Sequence, residues 1–181
     1  MPVTQYDIAP LKGDSLWGFL EHAKTMRLAV AVNDGPIEIS PVWYVSHEES
    51  VYFMIDPTVG DPGRSTTPQS RLLPGLDEGG RISAVIDDGE DLSNFRGVQI
   101  AGAAKPVVDP ELIDELLDLS LEKYFYIGHP HLEHYLSQGM IDERRWFELI
   151  PTQIDAWDRR FLPQAPIMEI KKFPPHLRSG T

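Results

Sequence analysis

Residues 27–56, RLAVAVNDGPIEISPVWYVSHEESVYFMID, constrain the fold more than any other stretch of the chain. Apolar side chains recur at every second position in three successive segments. They are Leu28, Val30 and Val32, then Ile37, Ile39, Pro41 and Trp43, then Val51, Phe53 and Ile55. A period of two is the mark of half-buried strands. Asn33-Asp34-Gly35-Pro36 separates the first two, with Gly35 able to take a positive φ, and the short polar turn His47-Glu48-Glu49-Ser50 separates the last two. The chain therefore opens its main body with an antiparallel β-meander.

The remaining segments alternate between strand and helix signals. Asp14 or Ser15 is placed to cap a helix over Leu16–Thr25, with Leu16, Phe19, Leu20 and Ala23 at helical spacing. Residues 57–68, PTVGDPGRSTTP, make the longest loop, followed by a short helix over Gln69–Leu76. Strands are expected at Arg81–Asp87 and Phe95–Val108, with Gly102 marking a bend or a close backbone approach and Pro106 an edge. Asp109 and Pro110 start an amphipathic helix that runs to Tyr126. A second helix follows over Pro130–Gly139, and two closing strands at Arg144–Ile150 and Ile154–Asp158. Residues 1–162 read as one domain and residues 163–181 as a proline-rich tail.

Composition narrows the function. A hydrophobic content of 41% in 181 residues suits one core, and no apolar run approaches the roughly 18 residues of a membrane helix. The start is neither basic nor apolar enough for a secretory signal. The absence of cysteine excludes disulfides, thiolate metal sites and a cysteine nucleophile. A cytoplasmic protein is the simplest reading. The net charge of −12 argues against nucleic-acid binding. An anionic cofactor would need a local basic pocket.

Several motifs in order resemble one family. Asp34-Gly35-Pro36-Ile37-Glu38-Ile39-Ser40-Pro41-Val42-Trp43, with Val51-Tyr52-Phe53 after it, is similar to the Asp-Gly-Arg-Pro-His-Val-Thr-Pro-Val-Trp strand pair of the pyridoxamine 5'-phosphate oxidase-like split-barrel family. Residues 81–88, 97–104 and 146–158 resemble its later strands. The resemblance spans roughly residues 16–160. It implies a mainly β protein with flanking helices, an antiparallel split β-barrel of the FMN-binding type with six or seven strands. It also implies a homodimer with FMN at the interface, acting as an oxidoreductase on a small-molecule substrate. A deazaflavin (coenzyme F420) reductase of the same fold and a non-enzymatic flavin or haem protein are the alternatives. Activity on pyridoxamine phosphate itself is not implied, because Glu38-Ile39-Ser40-Pro41 stands where the family enzyme has an Arg-rich strand.

The same resemblance nominates cofactor-binding residues. Ser70 and Arg71 sit where the family has a Ser-x-Lys element for the flavin phosphate. Arg64, Ser65, Thr66 and Thr67 add guanidinium and hydroxyl donors to the preceding loop. Ser40, Pro41, Val42 and Trp43 occupy the strand that lies along the flavin. Alternation points Ser40 and Val42 one way and Pro41 and Trp43 the other, and Trp43 reads equally as core. Arg27 stands near the expected cofactor edge or on the surface, Gln99 faces the flavin or solvent, and Trp157 matches a closing aromatic near the ring. No catalytic residue stands out. His129, His131 and His134 cluster in sequence, but three histidines astride Pro130 suit a surface better than a metal site, so no metal is expected.

Overall fold

The computed structural model describes residues 11–31, 35–56, 68–90, 94–125 and 144–161. The loop arginine and hydroxyls 64–67, the expected helix 130–139, the three clustered histidines and the tail lie outside them. So do residues 32–34 of the first turn.

In chain order the elements are α1 (Asp14–His22), β1 (Met26–Ala31), β2 (Ile37–His47) and β3 (Ser50–Ile55). Next come a 3₁₀ turn (Pro68–Leu72), α2 (Leu73–Asp77), β4 (Arg81–Asp88), β5 (Arg96–Pro106) and α3 (Pro110–Tyr124). β6 (Arg145–Asp158) and a 3₁₀ turn (Arg159–Phe161) close the described chain. The six strands form one closed antiparallel barrel in the order β1-β2-β3-β6-β5-β4. Closure removes free sheet edges.

Three local expectations change. α1 ends at His22 because Ala23 is already extended. Its cap is Gly13, at φ 50°, with no side-chain cap; the Ser15 hydroxyl instead pairs with the backbone of Lys12. The two closing strands are one strand. Pro151, which has no N–H to donate, sits opposite Gly102 where the β5–β6 register shifts at a bulge. A side chain on Gly102 would collide with the Ile150 carbonyl, so the close approach expected there is present. Asp109 caps α3 as expected, accepting from the Glu111 N–H.

Burial divides into two layers. The barrel interior holds Met26, Leu28, Val30, Phe53, Ile86, Ile100 and Phe147, and is stoppered by Phe19 and Leu20 of α1 and by Leu72 and Leu76. Phe53 and Phe147 stack across the β3–β6 pair at 5.5 Å. The second layer lies outside the barrel, where Leu116 of α3 packs on Val45, Tyr52, Met54 and Trp146. This is why β3 is buried on both faces. The covering helix also seals the place where β2 leaves β1. There the Tyr124 hydroxyl donates to the Tyr44 carbonyl at 3.1 Å and accepts from the Tyr44 N–H at 3.0 Å. β1 pairs with β2 only as far as Val42, so a side chain takes the ladder positions that β1 vacates.

Candidate functional site

α3 covers β2, β3 and β6 on one side of the barrel, and among the described residues no element covers the outer face of β1, β4 and β5. Strand register fixes what that face carries. One row across five strands reads Pro41, Arg27, Val85, Gln99, Asp155. The next, two residues along each strand, reads Ile39, Ala29, Ser83, Ala101, Gln153. At the other flank Asp87, Gly97 and Trp157 stand in line. The middle of the face is thus paved with small side chains and rimmed by longer polar ones. Ile37 and Ile39 stand 67% and 66% exposed on it, which is unusual for isoleucines on one strand of a stable fold.

Three of the nominated residues, Arg27, Pro41 and Gln99, meet in the first row, and Trp157 lies in the flanking one. The Trp157 indole lies so close over Gly97 that any side chain there would strike it, and its buried Nε1 has no acceptor among the described residues. Phe95 supports the ring at 5.8 Å.

Ser70 and Arg71 are held beside β2 by a residue that sequence reasoning did not select. Gln69 Oε1 accepts from the Asp56 N–H at 2.9 Å, and Gln69 Nε2 donates to the Pro41 carbonyl at 3.0 Å. This clip holds the 3₁₀ turn against β2. Arg71 Nε then lies 3.7 Å from the Glu38 carboxylate, and Arg27 pairs with Asp87 across the β1–β4 ladder. Both arginine side chains are more than half exposed, at 58% and 54%, so these pairs contribute little and exchange readily. Arg81 adds a further exposed cation on β4. Against a chain charge of −12, the face carries arginines in step with its carboxylates.

The other nominated residues point elsewhere. Ser40 and Val42 are 2% exposed and face the barrel interior, so they present only backbone to the outer face. Trp43 lies on the outer side but beneath the end of α3, stacked on Tyr124 at 4.5 Å with Phe125 edge-on at 5.6 Å. The Arg144 guanidinium lies 5.6 Å from its ring and pairs with Asp56 at 3.4 Å. Arg144 was not foreseen. Its side chain is only 6% exposed, and burial lowers its proton affinity while Asp56 opposes that shift.

The family model described as pyridoxamine 5'-phosphate oxidase matches residues 13–156. The chain belongs to that family. Among solved structures, a conserved hypothetical protein from Mycobacterium tuberculosis is 20% identical, with a TM-score of 0.65 over 94% of this chain and 99% of its own. The haem storage protein HutZ from Vibrio cholerae is 16% identical, with a TM-score of 0.58 over 84% of this chain and 99% of its own. An FAD-binding protein from Mesorhizobium loti is 14% identical, with a TM-score of 0.56 over 83% and 97%. At these identities the likeness establishes the fold, the split barrel expected from the motifs. No curated protein matches the chain. Among the described residues, no helix is long and apolar enough to cross a membrane, and no group of three or more His, Asp or Glu side chains could hold a metal ion.

Proposed function

We propose that the protein is a flavin-binding oxidoreductase that holds FMN on the open outer face of β1, β4 and β5, at the interface of a homodimer. The observation that carries this reading is the small-residue strip with the Gln69-clipped turn beside it. Ala29, Ser83 and Ala101 leave room for a planar ring along the sheet. The Gln69-clipped turn lies along the edge of β2 beside that strip, with Arg71 near the Glu38 carboxylate, and Arg27 stands in the adjacent row of the face. A phosphate is a stronger partner for these arginines than one exposed carboxylate each, because it offers several acceptor oxygens and two charges. Gln99 is a donor suited to ring carbonyls and nitrogens. Pro41 and the backbone of Ser40 and Val42 form the wall, and Trp43 supports it from under α3. Bound FMN would supply hydride and electron transfer, and the protein would bind and orient it.

Family membership and an FAD-binding structural neighbour support a flavin. The exposed Ile37 and Ile39 support a second copy of the chain as the cover of this face, since isolated proteins seldom leave such a patch bare. The pairing of Arg27 and Arg71 with acids favours a short anionic cofactor over the polyglutamate tail of coenzyme F420. Titrating the protein with FMN while following flavin fluorescence tests the reading. Saturable quenching at one FMN per chain is expected. Saturation by coenzyme F420 or haem with none by FMN would overturn it.

A further inference from the structure

A second concavity lies away from the flavin face. It is a groove of roughly 700 Å³ between α1, α3 and the β2–β3 turn. Trp17, Val45 and Leu119 give it apolar walls, and Lys123 of α3 lies in its lining.

Lys123 is unusually placed. Its side chain is half-buried, and its Nζ lies 3.5 Å from the centroid of the Tyr44 ring. Its hydrogen-bond acceptor is the Leu20 carbonyl at 2.8 Å, near the end of α1. No ion pair among the described residues includes it, in a chain of charge −12. Burial pulls its proton affinity down to about 7, with nearby Lys24 adding to the effect and Glu21 opposing it. As a free amine it donates one N–H to Leu20 and has a lone pair, and imine formation gives up that hydrogen bond. Burial pushes the facing Tyr44 and Tyr124 hydroxyls up, so both remain protonated.

The groove around it is acidic. Asp14, Glu21, Glu48, Glu49 and Glu122 line it, against the ammonium of Lys24 and the imidazoles of His22 and His47. Among the described residues no three of these groups converge on a metal position. The carboxylates favour an organic cation and repel an anion.

We propose that Lys123 is an amine nucleophile and that the groove takes a small, positively charged aldehyde, which Lys123 captures as an imine. The Nζ lone pair bonds to the carbonyl carbon as the C=O π pair moves to oxygen. The oxygen then leaves as water with both amine hydrogens, and the C=N bond forms. One amine and one aldehyde give one imine and one water, with no change in oxidation state. Nothing in this step depends on the flavin reading.

Reductive trapping tests it on the intact chain. The protein is incubated with cyanoborohydride and benzaldehyde, para-trimethylammoniobenzaldehyde or para-carboxybenzaldehyde, and labelled peptides are quantified by mass spectrometry. Lys123 is expected to label about tenfold faster than Lys24 or Lys105. The cationic aldehyde should be fastest and the carboxylate slowest. Glu49→Gln and Glu122→Gln should slow the cationic probe and leave the neutral one unchanged. Labelling of Lys123 no faster than Lys24 or Lys105 overturns the nucleophile. Equal rates for the three probes overturn the cationic ligand.

Discussion

Replacing Arg71 separates binding from folding. Its guanidinium lies 3.7 Å from Glu38 and is 58% exposed, so the pair it forms in the free protein contributes at most about 0.5 kcal/mol. Arg71→Ala should therefore leave the urea midpoint nearly unchanged. If the flavin phosphate takes that guanidinium, a charge-assisted contact is lost, worth about 1.5–3 kcal/mol. The dissociation constant for FMN should rise by about 10- to 150-fold. Glu38→Gln should act in the opposite direction. It removes the carboxylate that competes for Arg71 and should tighten FMN binding by about twofold, the exposed-pair effect of at most about 0.5 kcal/mol. Isothermal titration of the two variants beside wild type reads both signs. Equal FMN affinity in wild type and Arg71→Ala would refute the phosphate assignment, and weaker binding in Glu38→Gln would refute the competition.

Other changes test the scaffold. Gln69→Ala should cost about 2 kcal/mol, because it strands the Asp56 N–H and frees the 3₁₀ turn, and unlike Arg71→Ala it should lower both stability and FMN affinity. Phe53→Ala empties the stacked pair at the centre of the barrel and should cost about 3–5 kcal/mol in urea unfolding. Gly97→Val should drive the Trp157 indole off β5, seen as a shift in tryptophan emission with weakened FMN binding. Between about pH 7 and 10 the unfolded chain holds the Lys123 proton and the folded chain releases it. The unfolded state then binds more protons, so the Lys123 contribution to stability should rise with pH across that window. A difference between wild type and Lys123→Met that is flat with pH would contradict this. Light scattering should give twice the chain mass of 20.4 kDa, and a monomer would remove the second copy from the flavin face.

The strands were legible because their signal is local. Alternation in residues 27–56 placed β1, β2 and β3 to within a residue or two, and Asp109-Pro110 marked the start of α3. The strand order was not, since β3 meets β6 across almost a hundred residues and no local pattern encodes that pairing. Pro151 reads as a strand break until the bulge opposite Gly102 is seen to absorb it. Alternation also separated Ser40 and Val42 from Pro41 and Trp43, yet it does not say which pair faces inward. Burial settles that, with Ser40 and Val42 in the core. Gln69 was missed because its two partners lie 13 and 28 residues away, and a glutamine after a proline-rich loop carries no signal of its own. Lys123 was missed for a similar reason. On an amphipathic helix it reads as a solvated cation, and only the packing of α1 and Tyr44 around it removes the water.

A crystal structure of the protein with FMN tests the flavin reading at its root. The phosphate is expected against Ser70 and Arg71, with the ring along Ala29, Ser83 and Ala101 and a second copy closing over Ile37 and Ile39. FMN seated in the groove between α1 and α3, or a flavin face covered by no second chain, would contradict it.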